Sequence, residues 1–228
     1  DRFLSNNKTS IYPKRIPKII HQVWVGNNPM PKEYIEYMET IKKANPDYWH
    51  KLWTDEDVKD FKLVNKNIFD NCSNNGVKSD IFRYEILQRY GGIYMDTDFI
   101  AHKSFDDLLG FDFFSGTSCA QNCEILNGLF GTIPNHPIMN LAIKELSNKT
   151  PHHSFQNMAN AVLDFSGPRF MTKCFLEVTE ETHNVVVLPE KYFYPIPNFQ
   201  RHNYQPSMID LYKTEDSYCT HVWGCSWQ

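Results

Sequence analysis

The chain has 228 residues, 41% hydrophobic and 14% aromatic, enough for one sizeable core and too apolar for a disordered chain. A net charge of −4 and an isoelectric point near 6.1 exclude a general nucleic-acid binder, whose footprint is an excess of Lys and Arg. No stretch reaches the roughly 18 to 20 apolar residues that span a bilayer, and the opening DRFLSNNKTS lacks a signal-peptide apolar run, although a start at Asp1 is compatible with a trimmed anchor.

Residues 1 to 13 read as a polar leader, with a single domain expected from residue 14 to 228. "RIPKIIHQVWVG" predicts a buried strand over Ile19 to Val25, stopped by Gly26 and the turn-rich NNPMP. A helix is predicted from about Glu33 to Ala44, and "YWHKLWT" predicts a second strand. Thr54 followed by three acidic residues is a helix start. Ser79 is placed to cap a helix running to about Tyr90, which the Gly91-Gly92 pair ends. A strand from Ile93 to Ile100 follows. "FDFFSGT" and "HNVVVLP" predict further strands, and Pro137 to Leu146 a further helix. Strands and helices alternate, so an α/β sheet with parallel pairs is expected rather than a sandwich or bundle. Six cysteines form no CxxC pair, which argues against a structural zinc site. Asn7, Asn71 and Asn148 lie in Asn-x-Ser/Thr sequons, a weak pointer to a secretory route.

The strand "GGIYMDTDF" carries the chemistry. A buried carboxylate must be exposed, neutralised or bound to a cation, and this apolar run holds two, Asp96 and Asp98. Period-two alternation puts Tyr94, Asp96 and Asp98 on one side and Ile93, Met95, Thr97 and Phe99 on the other, with the acidic Cα atoms roughly 7 Å apart. Fifteen aspartates in 228 residues produce about one Asp-x-Asp by accident. Asp55-Glu56-Asp57 is such a copy, at a helix start where the dipole favours acids. Asp96 and Asp98 are set apart by the capped helix, the Gly-Gly stop and the apolar residues before them. An EF-hand is excluded because its sixth position would be Ala101. Two enzyme readings are left: a phosphohydrolase with an aspartate nucleophile, and a nucleotide-sugar transferase holding a divalent cation. A non-catalytic carbohydrate-binding domain is the third alternative.

At "SDIFRYEILQRYGGIYMDTD" the chain resembles glycosyltransferase family 32 and, over the same stretch, the glucosylating clostridial toxins. Asp80, Arg83, Gly91-Gly92, Tyr94, Asp96 and Asp98 fall at the family spacing. "IPKIIHQVWVG", "NGLFGTIPNHPIM", "FSGP" and "HVWGCSWQ" resemble family segments in the same order, the last departing from the toxin spacing. The resemblance implies a GT-A fold with a mixed, mostly parallel sheet flanked by helices. It also implies a UDP- or GDP-sugar donor, a manganese or magnesium ion, and retention of anomeric configuration. The acceptor would be a glycan, a glycolipid or a protein. Members of the family work in the Golgi lumen and in bacterial cytoplasm, so no compartment is assigned.

By the same resemblance Asp98 is a direct metal ligand, Asp96 contacts ribose and metal, and His221 is the third ligand. Asp80 binds donor sugar hydroxyls, with Arg83 near the sugar and phosphate. Trp24 stacks on the nucleobase, Tyr94 packs near the ribose and Asn127 contacts the sugar. Ser226 and Trp227 close over the diphosphate. Elementary chemistry is consistent with this: the chain has no Walker-type phosphate loop, and aspartate oxygens suit a hard cation that stabilises a leaving diphosphate.

Overall fold

In a computed structural model, which describes residues 15–118, 123–150, 159–178 and 184–224, the opening strand β1 is Ile19–Val23, slightly shorter than expected. Helix α1 (Lys32–Ala44) buries Tyr34 and Ile41 and returns the chain to β2 (Trp49–Trp53), parallel to β1. At Thr54 the backbone N–H donates to the Asp57 carboxylate at 2.8 Å, which starts α2 (Asp55–Asp60). After α3 (Lys66–Asn71) comes α4 (Asn75–Tyr90), a turn earlier than predicted. The cap is Asn74, whose side chain accepts from Val77 N–H at 3.0 Å, and Ser79 lies inside the helix with its hydroxyl on Arg83.

Gly91 and Gly92 close α4 with φ of +61° and +97°, and a Cβ at Gly92 would come within 2.7 Å of the Ile19 carbonyl oxygen. Strand β3 (Gly92–Met95) pairs parallel to β1, with Ile93 and Met95 in one apolar cluster and Tyr94 in the other, as alternation requires. The predicted strand over Ile93 to Ile100 is not continuous. It breaks after Met95, Asp96 to Asp98 form a turn, and β4 (Phe99–Ala101) leaves the main sheet.

Strands β5 (Phe113–Ser118), β6 (Glu124–Thr132) and β7 (Val185–Leu188) complete a six-stranded sheet in the order β2-β1-β3-β6-β5-β7. Only β6 among these runs against the rest, so the sheet is mixed and mostly parallel. Helices α5 (Pro137–Ser147), α6 (Ala159–Phe165) and α7 (Pro168–Val178) follow β6, and a short α8 (Met208–Tyr212) precedes β8 (Cys219–His221). β8 pairs antiparallel with β4, setting Phe99 opposite His221. Cys72, Cys174 and Cys219 are buried thiols. The polar leader, Ser226 and Trp227 lie outside the described residues.

His21 of β1 locks the Gly-Gly turn to the sheet. Its Nε2–H donates to the Gly91 carbonyl at 2.9 Å, and its Nδ1 accepts from Trp53 Nε1–H at 3.1 Å. Both nitrogens are satisfied only in the neutral ring, because a second proton would face the indole N–H. Burial lowers the imidazole to about 4, with the Gly91 bond opposing. The unfolded chain takes up this proton near pH 6.5, so between that pH and about 4 it binds more protons than the folded state and stability falls on acidification. Urea unfolding at pH 7.5 and 4.5 is expected to show the stability gap between wild type and His21→Gln shrinking by roughly 2–3 kcal/mol at the lower pH. An unchanged gap would assign the titration to another group.

Candidate active site

The turn after β3 holds Asp96 at the sheet end, where its N–H donates to the Gly128 carbonyl at 2.8 Å. Its Oδ1 accepts from the Tyr94 hydroxyl at 2.7 Å and lies 3.1 Å from Arg83 Nη2. Arg83 comes from the buried face of α4. Its Nη1 donates to the Asn127 carbonyl at 2.6 Å, its Nη2 lies 3.3 Å from Asp80 Oδ1, and the guanidinium sits 4.2 Å above the Tyr94 ring centroid. Asp80 also accepts from Asn127 Nδ2 at 2.9 Å and from the Ser166 hydroxyl at 2.7 Å. Tyr84 fixes this clamp by donating to the Ser166 carbonyl at 2.6 Å. Burial pushes the Asp80 carboxyl up to about 6, against the pull of Arg83 and Ser166. Burial also raises Asp96; Arg83 opposes it and the charge of Asp98 adds to it.

Asp98 has the opposite balance. Burial acts to raise it, but His221 and the Gly224 N–H outweigh burial and hold the carboxyl below its ordinary range. Oδ1 is 3.0 Å from His221 Nε2, and Oδ2 accepts from Gly224 N–H at 2.8 Å. The imidazole is packed between the rings of Phe99 and Trp223, at centroid distances of 4.5 and 4.2 Å. Trp223 adopts φ +58°, a left-handed conformation unusual for a bulky residue, and this bend aims the Gly224 N–H at Asp98.

Asp96, Asp98 and His221 each offer a ligand atom, and these atoms lie within 4.8 Å of one another. The donor set fits a hard or borderline divalent ion. Two ligands of an octahedral ion at about 2.1 Å and a right angle are about 3 Å apart, which is the separation of His221 Nε2 and Asp98 Oδ1. His221 Nδ1 is buried with no partner among the described residues. Three carboxylates against one guanidinium leave the cluster with a negative excess that a cation would offset.

A cavity of about 800 Å³ opens over this cluster. Trp24, Asp80, Arg83, Asp96, Asp98, Asn127 and His221 all line it, so the structure brings together seven of the ten residues predicted from sequence. Tyr94 does not line it: the ring is fully buried and reaches the site through Asp96. Ser226 and Trp227 fall outside the described residues. Trp24 follows β1, with its indole N–H on the Asn28 carbonyl at 2.9 Å and its ring edge-on to Tyr34. Sequence reasoning missed Ser166, Tyr194, Trp223 and Gly128. Ser166 and Trp223 sit inside the segments "FSGP" and "HVWG", whereas nothing in the sequence around Tyr194 marks it.

The chain is 31% identical over 225 residues to inositol phosphoceramide mannosyltransferase 1 of Schizosaccharomyces pombe, covering 94% of this chain and 63% of that protein. It is 29% identical over 213 residues to an uncharacterized glycosyltransferase of Acanthamoeba polyphaga mimivirus, covering 89% and 82%. Residues 31–114, which include Asp80, Arg83, Asp96 and Asp98, match the family described as a glycosyltransferase sugar-binding region containing the DXD motif. The chain is a glycosyltransferase of the DXD type. The transferase superposes on the PaToxG glycosyltransferase with a TM-score of 0.57 at 22% identity, over 76% of this chain and 74% of that one. That likeness concerns the fold, which is GT-A as expected. These matches replace the phosphohydrolase reading of Asp-x-Asp, and the transferase spans 63% of its fungal relative's length.

Gly128 tests the geometry of the transferase's acidic turn. A Cβ there would meet Asp96 Oδ2 at 2.8 Å, and the φ of Gly128 is not in the left-handed region, so the backbone itself tolerates alanine. Gly128→Ala is expected to leave the melting temperature within about 3 °C while weakening Mn2+ binding by roughly 10-fold or more, measured by titration calorimetry. Equal affinity would show that Asp96 does not need its present position.

Proposed function

We propose that the transferase moves a hexose or N-acetylhexosamine from a UDP- or GDP-sugar to an acceptor, with retention of configuration, through one catalytic unit over residues 14–228. The observation that carries this reading is the ligand cluster of Asp96, Asp98 and His221 on the wall of a cavity large enough for a nucleotide sugar. Manganese or magnesium held there would act as a Lewis acid for the leaving diphosphate. In this reading Asp98 and His221 bind the ion directly, and Asp96 divides its oxygens between the ion or ribose and Arg83. Trp24 offers a flat ring to the nucleobase, with Ser226 and Trp227 closing over the diphosphate.

Asp80 and Arg83 orient the sugar, and Asn127 and Ser166 hold Asp80 in place. Asp80 receives hydrogen bonds from two neutral donors and faces a guanidinium, which makes it a poor nucleophile. A front-face displacement, in which the departing phosphate takes the acceptor proton, is therefore favoured over a double displacement. The acceptor class is a glycan, lipid or protein. Similarity to a protein named as an inositol phosphoceramide mannosyltransferase favours a glycolipid. Among the described residues no helix is long and apolar enough to cross a membrane.

Incubation with a panel of UDP- and GDP-sugars and Mn2+ is expected to release nucleotide. Release should vanish with EDTA and fall by about 100-fold or more in Asp98→Asn. Nucleotide release at wild-type rates under either condition would overturn the metal-dependent reading, and donor binding with no release would leave a carbohydrate-binding role.

A further inference from the structure

Of the three arginines along the cavity two are paired with carboxylates, and among the described residues the exposed Glu190 of the same wall has no ion-pair partner. Arg83 lies between Asp80 and Asp96, and Arg169 between Glu124 and Asp164. Arg201, which lines the same cavity, has no carboxylate partner among the described residues. Its Nη1 donates to Asn198 Oδ1 at 2.7 Å, and its Nε is buried with no acceptor. A guanidinium on an open surface gives all five N–H groups to water. Here one is shut off from solvent while the positive charge still faces the cavity.

The segment that carries Arg201 is tied to the acid and imidazole cluster. Tyr194 packs against the rings of His221 and Trp223 at 5.7 and 5.8 Å, and the Trp223 indole N–H donates to the Ile196 carbonyl at 2.8 Å. From there the chain runs through Pro197 into a 3-10 segment, Asn198–Asn203, so Arg201 is held on the cavity wall by packing and one oriented side chain. This segment lies outside the residues that match the family.

We propose that Arg201, oriented by Asn198, is a phosphate-binding residue of this cavity. The planar fork of a guanidinium matches two oxygens of a phosphate, and an anion there would meet the one cavity arginine whose charge no carboxylate offsets. Two sources carry that chemistry: the diphosphate of the donor, which rests on the nucleotide-sugar reading above, and a phosphate on the acceptor headgroup, which does not need it.

Inorganic pyrophosphate without metal, titrated into the full chain, is the direct probe. Arg201→Gln is expected to weaken pyrophosphate binding by about 10-fold with an unchanged melting temperature, and Arg201→Lys, which keeps the charge and loses the fork, by less. Asn198→Ala, which removes the orienting oxygen, should fall between wild type and Arg201→Gln. If the donor is the source, the Kd of UDP or GDP with Mn2+ rises by the same factor in Arg201→Gln and every acceptor suffers alike. If the acceptor is the source, nucleotide Kd is unchanged and KM rises for a phosphoinositol-bearing lipid but not for a neutral glycoside. Pyrophosphate binding by wild type with no nucleotide binding would sink the donor reading and keep the assignment of Arg201. Equal pyrophosphate affinity in wild type and Arg201→Gln, or none in wild type, would overturn the assignment.

Discussion

The site depends on one buried guanidinium. Arg83 is 6% exposed at its side chain and is shared by Asp80 on its own helix and Asp96 on the neighbouring turn. A charge in that position is tolerable only with partners on more than one side, and removing either partner of such a network costs about 3–5 kcal/mol. The Gly91-Gly92 return makes the meeting possible by simple lengths. From Arg83 to Gly91 the helix advances about 12 Å at 1.5 Å per residue, and from Gly92 to Asp96 the chain comes back about 13 Å at roughly 3.3 Å per residue. His21, which holds the Gly91 carbonyl, thus sets where Asp96 arrives although it never reaches the cavity.

The two carboxylates of the motif are not equivalent. Asp96 directly follows β3 of the main sheet and is occupied by Tyr94 and Arg83. Asp98 directly precedes β4 of the small β4-β8 sheet and is occupied by His221 and a backbone N–H. Their environments move them in opposite directions, burial raising Asp96 while His221 and Gly224 outweigh burial at Asp98. The surroundings of Asp98 favour its charged form, whereas Asp96 shares its Oδ1 between the Tyr94 hydroxyl and Arg83.

What could be read from the sequence was what depends on neighbours in the chain. Helix α1, the α2 start at Thr54, the Gly-Gly stop and the alternation of Ile93, Tyr94 and Met95 all rest on local spacing, and all are present. The break after Met95 was not readable, because Phe99–Ala101 is as apolar and β-prone as the residues before it. Its pairing with Cys219–His221 depends on residues more than a hundred positions away. The start of α4 was misplaced because Asn74 and Ser79 are both good caps and Gly76 lowers helix propensity in between. The long central strand β6 had no clean alternation, being buried on both faces. At the site, Asp80, Arg83, Asp96 and Asp98 stood out as a spaced set, whereas Ser166, Gly128 and Tyr194 act through contacts that only the fold creates.

The detached β4-β8 pair has a further consequence. A two-stranded ribbon is marginal by itself, and this one leans on Phe99, Tyr218 and Trp223 and on the bonds that Asp98 makes to Val222 and Gly224. A cation bound by Asp96, Asp98 and His221 would bridge the end of the main sheet and both strands of the ribbon. Its binding free energy would then stabilise the folded arrangement of the two sheets against unfolding. Tyr194 and Trp223 pack on His221 of that same ribbon, and the segment that carries Arg201 follows Tyr194 in the chain. The acidic cluster and the segment that carries Arg201 are thereby joined by one continuous run of packed rings and a backbone hydrogen bond, from His221 through Tyr194 and Trp223 to Ile196.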